Sequence, residues 1–159
     1  MVHPSSRGAL QHALDGVGAR GVIARGLGRS YGDPAQNAGG RVVETTGVAD
    51  FDLDGATGLV RASAGASLDA LLRELVPRGW FVPVSPGTRY VTVGGAVAAD
   101  IHGKNHHRSG SWCNHVESLT LLLADGRTVT VGPGEDPELF WATAGGFGLT
   151  GIVLEATFR

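Results

Sequence analysis

A single cysteine, Cys113, means that no internal disulfide can form and that a reducing compartment is compatible. No apolar run approaches the roughly 18 residues that a membrane-spanning helix requires. Met1 to Leu14 lack the long apolar core of a secretory signal. A soluble protein, cytoplasmic or peripheral to a membrane, is therefore expected. Charge is sparse, at 18% of residues, and the formal net charge of −2 gives no basic footprint for nucleic acid. No internal repeat or low-complexity tract is present. The 159 residues are 42% hydrophobic, enough for one domain with a real core.

Glycine is the abundant residue. There are 26 in 159, against a usual share of about 7%. They have no period, which excludes collagen, and they gather between apolar runs. Glycine permits sharp turns and close approach of the backbone, so these clusters are either tight turns or backbone wrapped around a ligand.

Along the chain, Gly8 to Leu14 reads as a short helix and Val22 to Ala24 as a buried strand. A glycine-rich loop from Gly26 to Gly40 follows, then a strand over Arg41 to Thr46. Phe51–Asp54 and Leu59–Ala64 pair around a turn at Gly55. Ser67 caps a helix in which Leu68, Leu71, Leu72 and Leu75 recur at helical spacing, ended by Pro77 and Gly79. Trp80 to Val84 is expected to be a strand. Val93 to Ala99 is a helix of small residues, and Asp100 to Asn114 is polar and reads as a loop. Val116–Ala124 and Thr128–Val131 form a hairpin for which Asp125-Gly126 suits a type I′ turn. Asp136 and Pro137 open a short helix, with Phe140 and Trp141 expected in the core. Ile152 to Phe158 is the last strand. Short strands without regular βαβ alternation predict an α+β fold.

Four segments carry chemistry. In the first, Ala24-Arg25-Gly26-Leu27-Gly28-Arg29-Ser30-Tyr31-Gly32-Asp33, backbone amides of a glycine turn can converge on an anion, aided by Arg25, Arg29 and the Ser30 hydroxyl. Its spacing is GxGxxxG with no helix after it, which is not the Rossmann fingerprint. The second is Pro86-Gly87-Thr88 with Thr92-Val93-Gly94-Gly95-Ala96, where a helix opens and helix N-termini attract phosphate. The third, Asp100 to His107, holds three histidines and a lysine in six positions. Lys104 disfavours a dication there, and no thiolate pair is available, so no metal site is expected. The fourth is the glycine loop after Phe140 and Trp141, which could admit an adenine or ribose edge. Each segment alone could be plain packing.

Their order and wording resemble the vanillyl-alcohol-oxidase-type flavoproteins. The runs ARGLGRSYGD (24–33), PGTRYVTVGGAVAADIHGKNHH (86–107) and ELFWATAGGFGLTGI (138–152) are most similar to the branch of that family that oxidises the 2-hydroxyl of decaprenylphosphoryl-ribose. The resemblance covers nearly everything after Gly21. It implies an FAD-binding domain of the PCMH type with two small α+β subdomains. A partial lead-in would occupy residues 1–20, and the subdomains would be 21–92 and an incomplete 93–159. It implies FAD contacts at residues 24–34, Pro34 included, at Gly87, at Thr92, Val93, Gly94 and Gly95, at Ala99, Asp100, Ile101 and His102, and at Val153. His102 and Lys104 would lie near flavin and substrate, and Tyr31 near the flavin. Arg29 stands where many relatives carry the histidine that tethers FAD, so non-covalent FAD is expected. The family continues into a substrate domain carrying its main base, and that domain is expected to be absent here. A lipid-linked pentose would be the substrate, with a partner reductase completing an epimerisation. A sugar-lactone or alditol oxidase domain and a non-catalytic flavin-binding remnant are the alternatives.

Overall fold

The computed structural model describes residues 1–159. Two sheets build it. A parallel pair joins β1 (Val22–Arg25) to β2 (Arg41–Glu44). A five-stranded antiparallel sheet has the order β3-β4-β7-β5-β6, from β3 (Phe51–Asp54), β4 (Leu59–Ser63), β5 (Val116–Leu122), β6 (Thr128–Val131) and β7 (Ile152–Phe158). Helix accounts for 24% and strand for 26%, an α+β fold of the PCMH type. The seam between the sheets falls between β2 and β3, and the larger sheet takes strands from both sides of residue 92. No helix is long and apolar enough to cross a membrane.

Local chemistry explains most of the helices. In α1 (Arg7–His12) the Ser6 hydroxyl accepts from Ala9 N, and in α2 (Leu68–Leu75) Ser67 accepts from Ala70 N. Leu68, Leu71 and Leu75 of α2 are buried in the larger core, each contributing about 1.5–3 kcal/mol by leaving water. Thr92 caps α3 (Val93–Ala98) through Gly95 N, and Asp136 caps α5 (Pro137–Thr143) through Leu139 N.

A bulge lets β7 serve both cores. Its pairing to β5 slips between Thr120↔Glu155 and Leu121↔Val153, leaving Leu154 as the extra residue. Strict alternation would place Ile152, Leu154, Ala156 and Phe158 on one face. With the extra residue, Val153 joins Ala156 and Phe158 in the larger core, while Ile152 and Leu154 pack with Leu10, Val43, Val48 and Leu122 in the smaller one.

Four sequence expectations need correction. Trp80 to Val84 forms no strand: Val82 and Val84 are buried alternately, yet no neighbouring strand pairs with the segment, and Pro83 has no amide to give. Asp100 to Asn114 is not simply a loop, because α4 (His106–Ser109) and a 3-10 turn at Trp112–His115 lie within it and Trp112 and Cys113 are fully buried. The β5–β6 connection is not type I′, since Asp125 keeps a negative φ and only Gly126 is left-handed, at 84°; Gly126 N bonds Leu123 O, a type I turn with a glycine bulge. Phe140 is core as expected, but Trp141 is 45% exposed, because successive helical positions cannot share one face.

Candidate functional site

A small cleft, partly open to solvent, runs between the β1–β2 loop, the chain leaving β4, α3 and the loop before β7. Ala24, Arg25, Gly26, Ser30 and Pro34 line it from the first glycine loop, Thr92, Gly94, Gly95 and Ala99 from α3 and its flanks, and Val153 from β7. Sequence reasoning missed Ala35, Thr45 and Ala64, which resemble ordinary small packing residues, whereas Ala98 belongs to the small-residue helix it singled out. Phe147, Gly148 and Gly151 belong to the fourth segment, singled out only as a loop that could admit an adenine or ribose edge.

Close approach creates the cleft's shape. A Cβ on Gly26 would overlap the Thr92 hydroxyl, and one on Gly94 would stand 2.9 Å from Ala64 Cβ. Both glycines let two chain segments meet where any side chain would part them. Arg25 crosses the loop: its Nη1 reaches Ala35 O at 3.5 Å, and a Cβ on Gly28 would meet its Nη2 at 2.5 Å.

The amides divide sharply. From Gly26 to Ala35 no backbone N–H donates to any protein acceptor, Pro34 having none to give. That run leaves its amides without protein partners, beside the part-buried Arg25 guanidinium. The N-terminus of α3 differs from expectation. Val93 N bonds Ala66 O, Gly94 N bonds Ala64 O, Gly95 N bonds Thr92 Oγ1 and Ala96 N bonds Thr92 O. Those donors are engaged within the protein, so α3 contributes small-residue surface and not free amides.

The remaining expected residues lie outside the cleft lining. Leu27, Gly28, Arg29, Tyr31, Gly32 and Asp33 are exposed on the first loop, with Tyr31 wholly exposed. Gly87 is exposed and Val93 is buried in the core. Asp100, Ile101 and His102 follow α3. His102 is exposed and forms an isolated antiparallel bridge with Ser111, and Lys104 is exposed without an ion pair. His102 and His106 approach edge to face at 5.8 Å, and His106 Nδ1 lies 2.9 Å from Gly103 O. The histidines gather no third ligand of carboxylate or thiolate type. Protein purified without a histidine tag should carry no stoichiometric zinc by atomic absorption; zinc lost on His102→Ala with His106→Ala would refute this. Cys113 is buried, and burial first, then the Asp100 charge, push its thiol pKa well up, which keeps it protonated and inert.

The family model described as an FAD binding domain matches residues 1–132. The chain is 58% identical over 144 residues to decaprenylphosphoryl-beta-D-ribose oxidase of Mycolicibacterium smegmatis, covering 89% of this chain and 31% of that protein. It is 30% identical to cytokinin dehydrogenase 2 of Arabidopsis thaliana, over 92% of this chain and 29% of the relative. It is 32% identical to a putative D-arabinono-1,4-lactone oxidase of Neurospora crassa, over 69% and 19%. The chain thus spans about a third or less of these relatives' lengths. The match of the family model over most of the chain's length shows that it belongs to the FAD-binding domain family of FAD-dependent oxidoreductases.

Proposed function

We propose that this chain holds the flavin of an oxidoreductase that oxidises a secondary alcohol of a lipid-linked pentose. The run of unengaged amides from Gly26 to Ala35 carries the reading. With Arg25 and Ser30 they would bind the FAD diphosphate, non-covalently, since Arg29 offers no imidazole to form a bond. Gly94, Gly95, Ala98, Ala99, Gly148 and Val153 would receive its flat parts, as their side chains leave the backbone accessible. The flavin supplies the hydride acceptor. With flavin bound, the alcohol carbon would give a hydride to it and the hydroxyl proton would pass to a general base, leaving a ketone. His102 and Lys104, both exposed beside α3, would hydrogen-bond the substrate oxygen and hold the alcohol in orientation. Of the other residues expected at the flavin, Leu27, Gly28, Tyr31, Gly32 and Asp33 would act through the cradle's backbone, and Gly87, Val93 and Ile101 through packing.

The name and 58% identity of the mycobacterial relative support the substrate class. A partner reductase would then complete an epimerisation, with the protein cytoplasmic or peripheral to the membrane. The lactone-oxidase relative supports a second reading, oxidation of a sugar lactone.

Purified protein should be yellow or take up one FAD. Acid precipitation should release all of the flavin into the supernatant. A folded sample that binds nicotinamide dinucleotide and refuses FAD would refute the proposal, and flavin retained in the acid pellet would refute its non-covalent part.

A further inference from the structure

Asp100 is one of three non-glycine residues with positive φ, at 39°. Its carboxylate does not line the cleft. Oδ1 instead accepts from Cys113 N at 2.8 Å, across thirteen residues of chain. Around it the backbone is tied on both sides: Asp100 N bonds Val97 O, Ile101 N bonds Ala96 O, Trp112 N bonds Ile101 O, and His102 bridges Ser111. A Cβ on Gly145 would stand 3.6 Å from Asp100 Cβ, and Gly145 N and Phe147 N bond Val97 O and Ala98 O. Three segments therefore meet at this residue: the end of α3, the glycine loop carrying Phe147 and Gly148, and the buried turn at Trp112–Cys113.

We infer that Asp100 is a positioning residue whose carboxylate, bonded to the Cys113 amide, sets the left-handed turn that fixes both the α3 side of the cleft and the direction of His102. This rests on the flavin reading above and goes beyond it by assigning Asp100 to the protein's own backbone, not to the ligand. Aspartate and asparagine are the side-chain-bearing residues that best tolerate this conformation, and both carry the needed acceptor.

The test uses Asp100→Asn, Asp100→Gly and Asp100→Ala in the 159-residue chain, with two readouts. One is the rate at which Cys113, the single thiol, reacts with Ellman's reagent in flavin-free protein. The other is FAD affinity by fluorescence quenching. Asparagine keeps turn and acceptor and should keep FAD affinity within about twofold of the parent. All three variants remove the Asp100 charge that helps to hold the Cys113 thiol protonated, so the asparagine variant, not the parent, is the reference for thiol rate. Glycine keeps the turn without the acceptor, and alanine keeps neither. Both should react about tenfold or more faster than the asparagine variant and weaken FAD about fivefold or more. The asparagine–glycine pair decides the matter even should the alanine variant fail to fold. Glycine matching asparagine in thiol rate would overturn the carboxylate's role, as would asparagine weakening FAD as much as glycine. A thiol rate raised above that of asparagine with unchanged FAD affinity would overturn the positioning role. Failure of the parent to bind FAD would overturn the flavin reading alone, because the thiol series needs no flavin.

Discussion

Gly26→Val should weaken FAD binding about a hundredfold, near 2.8 kcal/mol. Gly26 lies in the cleft wall, where its missing side chain lets the first loop rest on Thr92. Thr92 is 2% exposed and its hydroxyl caps α3, so it has nowhere to retreat. A valine must either displace the cap, costing about 1 kcal/mol, or force the walls apart, costing about 1–3 kcal/mol. Either change moves the amide cradle relative to α3. Gly28→Val is a milder case: it forces a branched residue into φ of 64° and collides with the mobile end of Arg25, so a loss of about tenfold is expected. A double variant isolates the cause. Thr92→Ala removes Oγ1 and Cγ2, the two nearest atoms that a Cβ at Gly26 would meet, so Gly26→Ala should weaken FAD less in that background than in the parent. Titration calorimetry on samples with matched circular dichroism measures all four proteins. Equal losses in both backgrounds would mean that the contact with Thr92 does not set the cleft.

With FAD bound, the 159 residues alone should show little or no alcohol oxidation, at least about a thousandfold below a complete site. Catalysis needs the alcohol held about 3–3.5 Å from its acceptor in an aligned pose. Here the cleft opens to solvent, Tyr31 is wholly exposed, and His102 and Lys104 stand in water with no enclosing wall. Solvent screens their charges and competes for their hydrogen bonds. Anaerobic flavin bleaching with a decaprenylphosphoryl-ribose analogue measures the rate. Supplying the remainder of the mycobacterial relative as a separate polypeptide should raise it, and an aldonolactone in its place should bleach slowly. Rapid bleaching by the 159 residues alone would show that the site is complete as it stands.

Elements whose causes are local could be read from the sequence. Ser67 and the leucines after it specify α2 because cap and apolar stripe lie within three turns. Trp80–Val84 has the composition of a strand, but a strand needs a partner, and Asn105 reaches Pro83 O with a side chain instead. Trp112 and Cys113 were hidden in a polar stretch. Trp112 packs on Phe158, 4.9 Å from its ring and far away in sequence. The first loop was legible as a turn because its left-handed positions, Gly28 at 64° and Gly32 at 68°, are glycine. Whether the amides of α3 were open was not, because the carbonyls that engage them belong to Ala64 and Ala66. Thr45 and Ala64 line the cleft only by being small where two sheets meet.

The placement of β7 has a consequence in time. The hairpins β3–β4 and β5–β6 can close locally, within microseconds. β7 pairs Val60 with Phe158 and Leu119 with Ala156, entering between strands already made. During synthesis, a chain that has just completed β6 presents two bare sheet edges, β4 and β5, with the apolar residues of both cores uncovered. Those edges stay open to pairing with other chains until β7 emerges. The seven-residue β7, made after the strands on both sides of it, is therefore the clasp of the sheet, and slow translation before it would lengthen the interval in which nascent chains can aggregate.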